Sequence, residues 1–196
     1  MTVVLRDRLG TTRALPVDDW CAPASVDERA LLSALRGPVL DLGCGPGRLV
    51  VALGQLGIPA LGIDASPHAV GRAVASGAPV LERSVFERLP GEGRWASVLV
   101  FDGNVGIGGA PAALLGRARE LIAHDGTVIV EVEPPGSQTA MTEARLERDG
   151  ERTSWFPWAW VAADALDDIA ARAGLRRRRW RRIGGRWFAD LGAVPS

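Results

Sequence analysis

Apolar residues along the chain alternate between two spacings. Val39 to Leu42 is a short apolar run closed by a glycine turn, and Leu49, Val50 and Leu53 then recur at helical spacing. Pro59 to Ile63 is a second short run. It is followed by Ser66 at an N-cap position and Pro67 at the first helical one. Val80 to Arg83 reads as a third strand. Ala96 to Phe101 is unbroken apolar, as a strand buried on both faces requires. Pro111 opens a helix with Leu114, Leu115, Ala118, Leu121 and Ile122 on one face and Gly126 as its stop, and Thr127 to Val132 is a fifth strand. Upstream, Ser25-Val26-Asp27-Glu28 is a capping box. It starts a helix with Leu31, Leu32 and Leu35 inward and Gly37-Pro38 as the terminator. Strands and helices in this alternation predict an α/β fold, a doubly wound, mostly parallel sheet with helices on both faces.

Three stretches depart from the alternation. In residues 1–24, Val3–Arg6 is a possible short strand, and Pro16 to Pro23 holds Asp18, Asp19, Trp20 and Cys21. This is an arm packed on the core or a lid. Residues 137–160 interrupt the repeat with a hairpin, Ala144 to Arg148 against Arg152 to Phe156 around Asp149-Gly150. After a helix carrying Leu166, Ile169, Ala170 and Ala173, the runs Leu175 to Ile183 and Arg186 to Leu191 flank Gly184-Gly185, a two-residue hairpin turn. That hairpin adds one antiparallel strand. The expected organisation is an arm or lid at 1–24 and one domain at 25–196, with a hairpin insertion at about 137–160.

Composition adds limits. With 47% hydrophobic residues the chain can bury a sizeable core. No apolar run approaches membrane-spanning length, and MTVVLRDRLG lacks the apolar region of a signal peptide. Cys21 and Cys44 make no metal-ligand spacing. Reduced thiols, a cytoplasmic setting and no metal are expected. Net charge is zero but uneven: residues 1–170 hold 22 acids against 15 arginines, and residues 171–196 hold one acid against eight. Six of those eight fall between Arg176 and Arg182 on a predicted edge strand, where charge blocks edge-to-edge pairing.

The chemistry concentrates in the stretch VLDLGCGPGRL. Strand, glycine turn and helix N-terminus together let a ligand approach the backbone and meet free N–H groups. A dinucleotide turn of the G-x-G-x-x-G type would put its third glycine at position 48, where Arg48 stands, and a P-loop needs a lysine, which the chain lacks. Asp41, Gly43, Gly45 and Gly47 instead match the first motif of the class I S-adenosylmethionine-dependent methyltransferases, an acid followed by G-x-G-x-G, and the chain resembles that family over residues 25–191. The resemblance implies a Rossmann-like seven-stranded sheet with the sixth strand on its edge. It also implies S-adenosylmethionine as cofactor and methyl transfer by in-line displacement to a small-molecule acceptor.

Asp64, at the next strand tip and about 20 residues on, is placed to accept both hydrogen bonds of a ribose diol, with Ala65 beside it. The family's adenine-binding acid is replaced by Val85, so backbone contacts from Val85 and Phe86 are expected there. The methionine ammonium is expected near carbonyls of Gly43 and Asp102. Asp102-Gly103-Asn104 does not match the motif that nucleic-acid methylators of the family carry after this strand, which argues against a nucleic-acid acceptor. The glycines from Val105 to Gly109 suggest a ligand close to the backbone or a loose loop.

A carboxylate, thiolate or free amine acceptor needs no base, whereas a phenol or alcohol does. Asp102, Glu131 and Asp19 are the acids nearest the expected mouth. Trp155, Trp158 and Trp160 cluster in the insertion, and at least one, Trp155 or Trp158, is expected to line the acceptor pocket with Trp20 facing it. Another S-adenosylmethionine- or nucleoside-using transferase and a non-catalytic binding protein remain alternatives on the same fold.

Overall fold

The computed structural model describes residues 3–194; Met1, Thr2, Pro195 and Ser196, which the predicted arm and domain include, lie outside the described residues. The chain opens with β1 (Val3–Asp7), β2 (Thr12–Leu15) and a short helix α1 (Val17–Cys21). Next come α2 (Val26–Ser33), β3 (Val39–Leu42), α3 (Arg48–Gln55), β4 (Ala60–Asp64), α4 (Pro67–Ala75), β5 (Val80–Glu82) and β6 (Trp95–Val100). A 3₁₀ turn at Asn104–Gly109 leads into α5 (Pro111–Leu121) and β7 (Ile122–Val132). Then follow β8 (Ala140–Arg148), β9 (Glu151–Arg152), β10 (Phe156–Trp160), α6 (Ala163–Arg172), β11 (Leu175–Ile183) and β12 (Arg186–Ala193).

Seven strands form the central sheet in the order β11-β12-β7-β6-β3-β4-β5. β12 runs antiparallel to both neighbours and the other contacts within β3 to β7 are parallel, as the sequence predicts. Strand alternation sends Leu40, Leu42, Val98, Val100, Val128 and Val130 to one face, where they pack with Leu114 and Leu115 of α5 and Leu166 and Ile169 of α6. Val39, Leu99, Phe101 and Ile129 go to the other face, against Leu31 and Leu32 of α2 and Leu49 and Leu53 of α3. Each such side chain stabilises the fold by about 1.5–3 kcal/mol through burial. The predicted capping box is present: the Ser25 hydroxyl accepts from Glu28 N–H, and the Glu28 carboxylate accepts from Ser25 N–H.

Gly126 does not stop a helix. α5 ends at Leu121, and Gly126 lies inside β7, where the register against β6 shifts. It faces Trp95 O and Ile122 so closely that a Cβ would not fit.

A second, antiparallel sheet joins the two irregular stretches, in the order β10-β8-β1-β2 with β9 on β8. β1 pairs with β8 (Leu5↔Leu146), so the N-terminal arm and the insertion are one layer. The predicted hairpin is longer than its sequence pattern, because β8 continues back to Ala140 and pairs with β10 (Trp160↔Ala140). The layer sits above the C-terminal ends of the parallel strands and leans on the 3₁₀ turn. Gly106 lies against the Ala159 carbonyl and the Trp158 ring, and Gly109 against Pro157. What approaches those glycines is therefore the protein's own β10, not a ligand. Among the described residues, no helix is long and apolar enough to cross a membrane.

Candidate functional site

β3 is wholly buried and delivers the glycine turn to the sheet's C-terminal edge. Gly43 has φ 75° and lies so close to the Asn104 amide that a Cβ would collide with it at 2.6 Å. Gly45 has φ 54° and open space where a side chain would be. The Asn104 side chain donates to the carbonyls of Leu42 (3.0 Å) and Gly43 (2.8 Å), locking the turn onto the tip of β6. Gly47 caps α3 and packs against Ala73 and Ala78, which no larger residue would allow.

Asp64 ends β4 and faces this turn. One carboxylate oxygen accepts from Gly45 N–H (2.8 Å) and the other from Ser66 N–H (2.8 Å). Each oxygen retains a lone pair for a ligand hydroxyl. Ala65 is exposed between Asp64 and the helix cap Ser66. Val85 is buried in the core and its carbonyl accepts from Arg117. Phe86 is 46% exposed, with its ring edge against Gly108. Asp41 lies beneath the turn, 2% exposed, with one carboxylate oxygen lacking any partner. Burial, reinforced by the nearby Asp102 charge, pushes its pKa up to about 7. Burial likewise pushes the Cys44 thiol well above its ordinary range, with the Asp41 and Asp64 charges adding to the shift.

Next to the turn stands a buried ion cluster that the sequence did not disclose. Arg48 grips Asp102 with two hydrogen bonds (2.8 and 3.0 Å) and Glu28 with a third (2.6 Å). Arg186 reaches Glu131 twice (2.7 and 2.6 Å), Glu28 (2.8 Å) and Asp102 (2.8 Å). Asp102 N–H also donates to Glu131 (2.6 Å), and Asp102 holds φ 57°. Against the upward push of burial, bonds from Arg48, Ser25 N–H and Arg186 hold the Glu28 carboxyl down at about 2. One signal was available: Arg48 is a cation at a helix N-terminus, where the dipole disfavours it. Such a residue calls for acids nearby, although α2, the β6 tip and β7 supply them from distant parts of the chain.

Two cavities meet over these residues. The first, about 610 Å³, is lined by Gly43, Gly45, Asp64, Ser66 and Asn104 on the sheet side and by Trp20 and Leu146 on the other. The second, about 630 Å³, extends over Asp102, Glu131 and Glu133 to Trp160 and the arm. Leu15, Trp20, Arg48 and Asp102 border both. Of the three predicted acids, Asp102 and Glu131 are held by arginines. Asp19, on the wall of the second cavity, is exposed and has no side-chain partner among the described residues.

The tryptophans are arranged differently from the expectation. Neither Trp155 nor Trp158 borders these cavities. Trp155 precedes β10 and lies between the Arg8 and Arg145 guanidiniums (4.3 and 4.6 Å), on the outer face opposite Leu146. Trp158 points inward but is spent on packing: it meets Phe156 and Trp160 edge-on and covers Gly106. Trp160, two residues further on the same strand face, is the one that reaches the second cavity, while Trp20 stands between the two.

The family model for a methyltransferase domain matches residues 21–178. None of the curated proteins matches the sequence. Among solved structures, a SAM-dependent methyltransferase from Bacteroides fragilis in complex with S-adenosyl-L-homocysteine is similar at TM-score 0.81 and 20% identity, over 100% of this chain and 89% of that one. The Burkholderia thailandensis 1,6-didemethyltoxoflavin-N1-methyltransferase is similar at TM-score 0.65 and 18% identity, over 87% and 78%. A sugar N-methyltransferase from a Streptoalloteichus species is similar at TM-score 0.63 and 17% identity, over 91% and 90%. At these identities the likeness is one of fold.

Proposed function

The chain belongs to the methyltransferase domain family, and from that premise we propose that it transfers the methyl group of S-adenosylmethionine to a small-molecule acceptor in the paired cavities. The observation that carries this reading is the first cavity, where the open backbone at Gly45, the Asp64 carboxylate and the α3 N-terminus converge at the ends of parallel strands. The residues present fit the cofactor. Gly45 leaves room where a Cβ would stand, and Asp41 keeps an unpartnered carboxylate oxygen beneath the turn. Asp64 would hold the ribose diol, the Val85–Phe86 segment the adenine side, and the Gly43–Asp102 region the methionine ammonium. When bound, the cofactor supplies a methyl group on a sulfonium, transferred as its carbon–sulfur bond breaks with the electron pair left on sulfur.

The protein's own contribution is alignment and exclusion of water. The ion cluster fixes Asp102 and Glu131 at the strand tips, and the arm and insertion wall both cavities. Asp102 and Glu131, held by arginines, serve here as scaffolding, and Asp19 is the acid free to meet an acceptor. The arginines of β11 lie on the far edge of the sheet. Arg177 pairs with Asp167 and both Arg179 and Arg181 with Asp190, which supports a small acceptor over nucleic acid. The reading includes a cytoplasmic setting, which the two unpaired cysteines suit.

Calorimetry tests the cofactor assignment. Asp64→Ala removes a charge-assisted pair and is expected to weaken S-adenosylmethionine binding by about 1.5–3 kcal/mol. Unchanged affinity in the variant, or tight NAD binding by the wild type, would overturn the assignment.

A further inference from the structure

Resting on the methyl-transfer reading, we propose that the second cavity recognises its acceptor as a cation, so that the substrate class is a small amine with an apolar or aromatic body, bound as its ammonium and giving up one proton, to Asp19 or to water, before its nitrogen lone pair takes the methyl. The volume, about 630 Å³, suits a molecule of ordinary ligand size. Charge decides its character. The buried cluster on its floor holds three carboxylates against two guanidiniums. Arg48 and Arg186 direct three and four hydrogen bonds into that cluster, so its acids already answer both charges. Arg13, the third guanidinium of the wall, is occupied as well: it bonds Glu133 (3.1 Å) and stacks 3.9 Å from the centre of the Trp160 ring. What remains is Asp19, a carboxylate with no partner among the described residues, and the cavity as a whole carries two negative charges in excess.

The Trp160–Glu133 corner is a second, independent indication. An indole face beside a carboxylate is a cation-binding arrangement, and here it already holds one cation, the chain's own Arg13. Asp19 and Trp20 present the same pair of chemistries on the facing arm. An ammonium entering between these walls meets the unpaired Asp19 and the Trp20 side chain, beside the Trp160 ring that Arg13 already covers. A carboxylate entering there meets guanidiniums already paired with acids and a lining in negative excess, and like-charge juxtaposition disfavours it.

Three probes of one shape separate the possibilities: phenethylamine, 2-phenylethanol and phenylacetate, each titrated at neutral pH into protein saturated with S-adenosylhomocysteine. Phenethylamine is expected to bind at least tenfold more tightly than the alcohol, and phenylacetate more weakly than either. Asp19→Asn keeps the size of the side chain and removes its charge. It is expected to cost the amine about tenfold while leaving the alcohol unchanged, and Glu133→Gln to lower the amine's affinity in the same sense. Equal or tighter binding of phenylacetate, no preference for the amine over the alcohol, an Asp19→Asn variant with wild-type amine affinity, or no binding of any probe would each overturn the proposal. Failure of S-adenosylhomocysteine itself to bind would instead strike the methyl-transfer reading, and the proposal with it.

Discussion

Asp41 carries a carboxyl in surroundings that oppose its ionisation, buried beneath the glycine turn and close to the Asp102 charge. The unfolded chain releases this proton near the ordinary value of 3.8, and the folded chain holds it to about 7. Between those values the folded state binds more protons, so stability falls as pH rises through the window. Glu28 acts in the opposite sense in a different window. Its carboxyl is held down at about 2, so the stability it contributes is lost as pH falls from 4.5 toward that value. Asp41→Asn is therefore expected to flatten the decline of Tm between pH 5 and 7 by several degrees while leaving the acid limb in place. Parallel Tm curves for wild type and variant would refute this origin of the decline. At this scale the glycine turn and the acids at the two strand ends can be placed from the sequence, through the strand pattern and the resemblance to the methyltransferase motif, because a strand tip and a turn are local. Arg48 and Arg186 carry no such local mark, because the acids that define them come from separate elements.

Among the elements, the 3₁₀ turn at Asn104–Gly109 is where the two sheets touch. Gly106→Ala would drive a Cβ into the Ala159 carbonyl and the Trp158 ring, both of which belong to β10. The expected cost is about 1–3 kcal/mol, read as a Tm drop of about 2–4 °C per kcal/mol. Gly71→Ala is the control. It lies exposed in the middle of α4 with nothing within reach, and is expected to raise stability by about 0.5–1 kcal/mol. A Gly106→Ala protein as stable as the control would mean that the sheets do not depend on this contact.

The edge strand β11 gives the contrasting case. Arg177 and Arg179 pair with Asp167 and Asp190, and Arg181 also holds Asp190. Replacing Arg177 and Arg179 with Gln is expected to leave turnover nearly intact and lower solubility. A large loss of activity in a folded variant would point to an anionic partner. The parallel units were readable because each strand, turn and helix repeats within a few tens of residues. The pairing of β1 with β8 joins Val4 to Glu147 across most of the chain, and no local pattern announces it. For the same reason the outward turn of Trp155 could not be foreseen. It follows from the β1–β8 register and from two arginines that sandwich the ring.

At the scale of the whole molecule, the second sheet converts an open strand edge into two walled cavities. Its strands come from both ends of the insertion and from the N-terminus, so arm and insertion are coupled by a continuous ladder, β10-β8-β1-β2. The ladder is not uniformly held. Leu5 and Ala144 are buried on its inner face, whereas α1 has no buried residue and no side-chain cap. Yet α1 supplies Trp20, which stands between the two cavities. An element with few buried contacts opens at low free energy, and a ligand that touches it slows that opening. Hydrogen exchange with and without S-adenosylhomocysteine tests this division. Amides from Arg13 to Cys21 are expected to exchange rapidly in the free protein and to slow markedly on saturation. Those of β3, β6 and β7, already buried in the central sheet, are expected to change little. If the arm exchanges at one rate in both states while the ligand saturates its site, α1 is a fixed wall, and closure over the cavities is no part of how this protein binds.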